Sequence, residues 1–205
     1  MAEIIPSIAN NMEKSQAYKE QLSRYKNAVR HGFYFEGIFI LYAMLEDRLS
    51  AFLYYAGVIN NNRDKLTTNM MVKPQLDKIL GYQDKKNRDT KNISTKIKLM
   101  QCIIDWSRLY EPGDPFTENY ANILYKQIVR TAGLDRIQQT LSNIQGWCKA
   151  RNELVHALLT KNPANLHETL VRLSDNGYTE YRNMNNFIKS FKTRNTIRTQ
   201  FNIQD

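Results

Sequence analysis

Hydrophobic residues recur every three or four positions along nearly the whole chain, which is the spacing of helices that bury one face. The clearest run occupies 38–56, with apolar residues at Ile38, Leu41, Tyr42, Leu45, Leu49, Phe52, Leu53 and Ala56. Gly57 and the polar residues from Asn60 onward predict its end. The aromatic residues of this region fall at helical spacing, so we expect them to belong to the core.

The same periodicity predicts helices over 15–30, 97–110, 117–131, 134–161, 166–173 and 178–198. The segments "EPGDP" at 111–115, Asn162-Pro163 and "SDNG" at 174–177 predict the breaks. The chain shows no alternating strand pattern of useful length, no internal repeat and no glycine-rich phosphate loop. We therefore predict an all-α bundle of about five to seven helices, a single domain over 1–205 with a C-terminal helical extension from about residue 178.

Positive charge is concentrated in the middle of this chain. Lys and Arg number 29 against 20 Asp and Glu, for a net charge of +9. Residues 63–98 hold ten basic side chains and four acidic ones, a net of +6. Pro74 and Gly81 interrupt this stretch, which predicts a basic loop insertion around 60–96. Such a loop is either a solvated surface segment or an arm that contacts phosphates.

Several classes of protein fit the sequence poorly. The most apolar segment, 37–45, has nine residues between Glu36 and Glu46, too few to span a bilayer. The first 14 residues lack the pattern of a secretory signal, and two cysteines within apolar helical patterns are too few for a disulfide scaffold. No histidine has a Cys or His neighbour at metal-ligand spacing. We expect a cytoplasmic protein with no metal or other cofactor and no membrane partner.

A cluster of polar residues interrupts the apolar stripe of the longest predicted helix, in the sequence "RNELVH" at 151–156. On a helix, Asn152 and His156 project from the same face, whereas Arg151 falls in the stripe itself. A buried unpaired guanidinium is costly, so the position calls for an anion, a cleft or another subunit. The alternative is an arginine that extends to solvent beside a structural histidine. A second Arg-to-His spacing, Arg24 to His31, lacks the asparagine and precedes a glycine.

This motif, late in a long helix of an all-α chain, resembles the HEPN superfamily, whose active members carry Arg, a polar residue that is often Asn, and then His. HEPN proteins include metal-independent endoribonucleases that act as toxins, in abortive infection and in CRISPR effectors. The resemblance implies that Arg151, Asn152 and His156 are catalytic and that two copies face each other across a homodimer. Acidic residues orient the arginine or histidine in some relatives, which makes Glu46 a further candidate.

These residue types suit RNA cleavage without a metal, in which the 2'-hydroxyl attacks the adjacent phosphorus. His156 can exchange a proton near neutral pH. Arg151 can donate to the non-bridging oxygens, and Asn152 can position the histidine or the phosphate. The expected products carry a 2',3'-cyclic phosphate and a 5'-hydroxyl. A two-fold dimer would supply both an acid and a base to one cleft.

Eight basic residues are candidate contacts for the RNA backbone: Lys85, Lys86, Arg88, Lys91, Lys189, Lys192, Arg194 and Arg198. An antitoxin or a defence-system protein is a further expected partner. HEPN toxins paired with nucleotidyltransferase antitoxins carry a tyrosine two residues after the histidine, where this chain has Leu158. Two alternatives stay open: a HEPN-like module that binds RNA, nucleotide or protein without cleavage, and an interaction protein of a defence operon.

Overall fold

A computed structural model describes residues 11–60, 92–109, 114–157, 160, 162 and 166–203. These residues form six helices and a final helical turn, which confirms the predicted all-α bundle. The elements are α1 (Asn11–Arg30), α2 (Tyr34–Tyr55), α3 (Ile93–Leu109), α4 (Pro115–Ala132), α5 (Leu134–Ala157), α6 (His167–Thr193) and α7 (Ile197–Gln200).

Helix α2 is the centre of the bundle and packs against α1, α3 and α6. Its predicted apolar face is buried except at Tyr42, with Leu41, Leu45 and Phe52 fully inaccessible to solvent. The Phe52 ring lies 5.8 Å from Phe187 and 5.0 Å from Phe191, both on α6. Burying such large apolar side chains against one another supplies most of the driving force for packing these helices together.

Residues at each end of α4 determine where this helix begins and ends. The Asp114 carboxylate accepts a hydrogen bond from the backbone N–H of Thr117 at 2.9 Å, and Pro115 occupies the first turn. Hydrogen bonding from Thr117, mainly by its side chain and then by its backbone N–H, lowers the pKa of Asp114 below its ordinary value. Gly133, with a φ of 77°, ends the helix in a conformation that other residues adopt only with strain. Pro115, the last residue of the predicted break at 111–115, is therefore the first residue of α4, and residues 110–113 lie outside the described residues.

One predicted break is wrong. The segment "SDNG" at 174–177 lies inside α6, which runs without interruption from His167 to Thr193. The boundary predicted at about residue 178 therefore falls within a helix. Ser174 is buried and its Oγ lies 3.2 Å from the Tyr25 hydroxyl of α1, while Gly177 packs under the indole of Trp147. These small residues allow neighbouring helices to approach and do not end the helix.

Replacing Gly177 with alanine should destabilise the protein by about 1–3 kcal/mol. An added Cβ would lie 2.7 Å from three atoms of the Trp147 ring, so the ring or the helix must shift. Urea denaturation of the variant and the wild type would measure this change.

Gly146→Ala is the matched control, because a Cβ there meets nothing within 4 Å and alanine favours a helix by about 1 kcal/mol over glycine. Equal stability of the Gly177 variant and the wild type would contradict the close packing.

The predicted basic loop lies mostly outside the described residues, which resume at Asn92, so its conformation is not assigned. Its last part, from Ile93, belongs to α3. Among the helices that the structure describes, none combines the length and apolar character needed to cross a membrane. Both cysteines are free thiols, with Cys148 buried in the core.

Candidate functional site

The "RNELVH" motif occupies the last two turns of α5. Asn152 and His156 are exposed on one face, and Arg151 is half buried. Leu154 points the other way and is 3% exposed, so it fixes this part of α5 to the core. The helix therefore presents its amide and imidazole to solvent from a rigid position.

The Arg151 guanidinium lies on two aromatic rings of α2. Its central carbon is 4.6 Å from the centre of the Phe39 ring and 4.7 Å from that of the Tyr42 ring. Its Nη1 donates a hydrogen bond to Asn152 Oδ1 at 3.0 Å. We call Phe39 and Tyr42 the aromatic platform. Cation–π contact and the asparagine together hold the guanidinium plane in one orientation.

The expectation that the aromatic residues of α2 are core is only partly confirmed. Phe39 is 43% exposed and Tyr42 is half buried, whereas Phe52 is completely buried. Phe39 also packs edge-on against Phe35, with ring centres 4.8 Å apart. The platform was missed because no periodic pattern in α2 indicates that an arginine more than 100 residues later lies over it.

One atom of the arginine has no hydrogen-bond partner among the described residues. Arg151 Nε is buried and makes no hydrogen bond within the part of the chain that the structure describes. A buried donor without a partner costs about 1–3 kcal/mol. Arg151, within the apolar stripe of α5, therefore carries a buried N–H that lacks an acceptor among the described residues. An anion or a second polypeptide chain at this surface could accept its hydrogen bond.

Glu46, one turn after Tyr42 on α2, forms an ion pair with Lys96 of α3 at 2.7 Å. Lys96 is only 4% exposed, whereas the Glu46 side chain is 29% exposed, so a buried ammonium pairs with a carboxylate that solvent still reaches. Burial raises the pKa of the Cys148 thiol to about 11, with Arg151 lowering it and Glu46 raising it. The same two charges act in opposite directions on the Tyr42 hydroxyl, whose pKa is raised mainly by burial. Glu46 thus lies in the electrostatic neighbourhood of Arg151 while it is bound to a lysine.

The three histidines of the chain lie towards one end of the bundle. The Tyr42 ring faces Trp147 and the Phe39 ring faces Arg151, so α2 and α5 are antiparallel and the last turn of α5 approaches the first turn of α2. There the His167 ring meets the Tyr34 ring edge-on at 5.6 Å. His31 precedes the same turn, and its Nδ1 lies 2.8 Å from the Asn27 carbonyl oxygen.

The C-terminal basic candidates lie at the opposite end of α2. Arg198 Nη1 donates to the carbonyl oxygens of Tyr54 and Ile59, at 3.1 and 3.3 Å. Arg194 Nη1 donates to the Arg130 carbonyl at 2.8 Å. The structure thus gives both arginines a role in closing helix ends, and it does not bring them to the motif.

Of the six remaining basic candidates, two lie near the same end of α2 and four lie outside the described residues. Lys189 and Lys192 are exposed on α6, and the Lys192 ammonium lies 5.7 Å from the centre of the Tyr55 ring. The other four lie outside the described residues: Lys85, Lys86, Arg88 and Lys91.

Among the described residues, no group of three or more His, Cys, Asp or Glu side chains is arranged to hold a metal ion. Comparisons with protein-family models, with curated proteins and with solved structures found no significant match to this chain. The function is therefore argued from the geometry of the motif.

Proposed function

We propose that this protein is a HEPN-type endoribonuclease that cleaves RNA without a metal ion and leaves a 2',3'-cyclic phosphate. The observation that carries the proposal is the arrangement at the end of α5. An exposed imidazole, His156, stands one turn beyond Asn152, which accepts a hydrogen bond from an arginine that is fixed on the aromatic platform.

Each side chain of the motif has a distinct task in this reaction. The Arg151 fork donates to the non-bridging oxygens of the scissile phosphate and stabilises the charge that develops on them. Its orientation is set before RNA binds, so little reorganisation is required at the transition state. His156 transfers a proton to or from the 2'-hydroxyl or the leaving 5'-oxygen. Asn152 positions the arginine, because its oxygen already accepts from Arg151 Nη1.

A homodimer completes the site in this proposal. The reaction needs an acid and a base, and two copies related by a two-fold axis place two motifs in one cleft. Two features of the motif surface favour such a contact. Phe39 is 43% exposed beside Arg151, and Arg151 Nε is buried without a partner among the described residues.

The biological setting we propose is a toxin or phage-defence system of the abortive-infection type, in the cytoplasm. The net charge of +9 favours binding to a polyanion such as RNA. Leu158 stands where HEPN toxins with nucleotidyltransferase antitoxins carry a tyrosine, so a restraining partner would act by another route. Expression of the wild-type chain in a bacterial host should slow growth if the enzyme is constitutively active.

The direct test is to incubate the purified protein with mixed RNA in excess EDTA, at low and at moderate salt. We expect cleavage that leaves 2',3'-cyclic phosphates, that weakens as salt rises because phosphate contacts displace counterions, and that has a specific activity which increases with protein concentration as dimers form. The fragment ends are identified by their resistance to phosphatase before mild acid opens the ring.

RNA binding without cleavage at every concentration would contradict the nuclease and favour the non-catalytic HEPN-like module. New 3'-hydroxyl and 5'-phosphate ends at the cut would contradict the mechanism, because attack by the 2'-hydroxyl cannot produce them.

A further inference from the structure

A cleft of about 490 Å³ lies between α5 and α6, next to the motif. Its floor is formed by Trp147 and Leu173, which are both buried, and the Trp147 indole N–H donates to the Leu173 carbonyl at 2.8 Å. Its rim is exposed and includes Asn143 and Gly146. An apolar floor with a polar rim is typical of a small-ligand site.

The Glu180 carboxylate stands at one end of this cleft and is 8% exposed. Its Oε1 accepts from Asn143 Nδ2 at 3.0 Å, and its Oε2 accepts from Asn183 Nδ2 at 3.5 Å. In the described part of the chain, no basic side chain pairs with it. A carboxylate has about four acceptor positions, so two amide bonds leave it incompletely satisfied. Each oxygen therefore has one partner and keeps an acceptor position that a donor of a ligand can fill.

The Glu180 carboxylate determines which kind of ligand the cleft can bind. A carboxylate only accepts hydrogen bonds, so its partner must offer donors, and two oxygens favour two adjacent donors. Among the RNA bases, guanine alone has two adjacent donors, N1–H and the N2 amino group, on its Watson–Crick edge. Single-stranded RNA exposes this edge to proteins. We propose that the cleft binds a guanine base of single-stranded RNA, with Glu180 accepting from N1–H and N2–H.

The cleft lies beside the motif, so a guanine bound there would affect where RNA is cut. This consequence rests on the proposed nuclease function. Ala150, which lines the cleft, is the residue before Arg151. Arg172, about two turns before Glu180 on α6, is exposed at the same end of the cleft and can contact the phosphate of the bound nucleotide. A guanine held at Glu180 would therefore direct its phosphate towards the motif, and cleavage would occur beside guanine.

Nucleotide binding tests the inference without any cleavage. Guanosine, inosine and adenosine 3'-monophosphates are titrated into the full-length His156→Ala protein and followed by calorimetry. Trp147 fluorescence in a Trp106→Phe background gives a second signal, because the chain has two tryptophans. Inosine lacks the N2 amino group and should bind about 10- to 100-fold more weakly than guanosine, as expected for a lost hydrogen bond to a charged acceptor. Equal binding of the three nucleotides, or no binding, would overturn the inference.

Two variants locate the site. Glu180→Gln replaces one acceptor oxygen by a donor and should weaken binding of the guanosine nucleotide about 10- to 100-fold. Glu153→Gln, an exposed carboxyl on the motif helix, is the matched control and should bind as the wild type does. Because Glu180 is buried, its variant is compared only if it unfolds cooperatively, and Gly146→Leu gives an independent check.

A Cβ at Gly146 meets nothing within 4 Å, so leucine there should fill the cleft without opposing the helix and should abolish binding. Gln145→Leu, exposed beside it but outside the cleft, should not. Unchanged binding in the Gly146 variant would show that the nucleotide sits elsewhere.

The two proposals fail in different ways. If the guanosine nucleotide binds and mixed RNA is not cut, the guanine site stands and the nuclease is excluded. If RNA is cut with no preference for guanine and no nucleotide binds, the nuclease stands and the guanine site is excluded.

Discussion

His156→Ala is expected to slow RNA cleavage by about 10²- to 10⁴-fold, the usual contribution of a general acid or base. The imidazole is exposed on the last turn of α5, so its removal should leave the free energy of unfolding within about 0.5 kcal/mol of the wild type. Single-turnover cleavage of a defined RNA, with enzyme in excess, measures the chemical step. Thermal unfolding of the same preparation checks the fold.

His31→Ala is the matched control. His31 is also exposed and lies towards the same end of the bundle, but its ring lies near the Asn27 carbonyl at the end of α1. Its removal should not affect cleavage. A wild-type rate for the His156 variant, or an equal loss in both variants, would exclude His156 as the group that transfers the proton.

Arg151→Ala should reduce cleavage by about 10²- to 10³-fold, the range for loss of a donor to a developing oxyanion. Two opposing effects on stability should nearly cancel. The variant loses contacts with the aromatic platform worth about 0.5–2 kcal/mol. It also removes the buried Nε, which has no partner in the described part of the chain and costs about 1–3 kcal/mol in that state. Separate measurement of kcat and KM should show the loss mainly in kcat, because the arginine acts on charge that forms in the transition state.

Arg151→Lys separates charge from shape. Lysine keeps the positive charge but cannot present two parallel donors, so we expect it to restore only a small part of the rate. Arg136→Ala, which removes an exposed arginine from the start of α5, is the control for a general loss of positive charge. If the Arg136 and Arg151 variants lost activity equally, the guanidinium at the motif would have no specific role.

The fold was predictable from the sequence where burial follows a simple period. The predicted core positions of α2 are buried except Tyr42, and so are the regularly spaced apolar residues of α5: Ile137, Leu141, Ile144 and Cys148. The break at 174–177 was not predictable, because serine and glycine favour turns in isolation and only the packing of Tyr25 and Trp147 explains their place in a helix.

The candidate site was predictable in part. The motif could be located because a guanidinium in an apolar stripe is unusual. The aromatic platform beneath it and the Lys96 partner of Glu46 could not, because those contacts join residues far apart in the chain. The role proposed for Glu180 could not be predicted for the same reason, because it depends on the cleft that α5 and α6 form around this residue.

The contact between Gly177 and Trp147 also limits how this sequence can diverge. A side chain at 177 needs the space that the indole ring occupies, and a smaller ring at 147 would leave a gap above a bare glycine. Neither position can change size by itself without loss of stability, so compensating substitutions must arise as a pair. Since Trp147 also forms the floor of the cleft beside the motif, such a paired change would alter the shape of the cleft as well as the packing of α5 on α6.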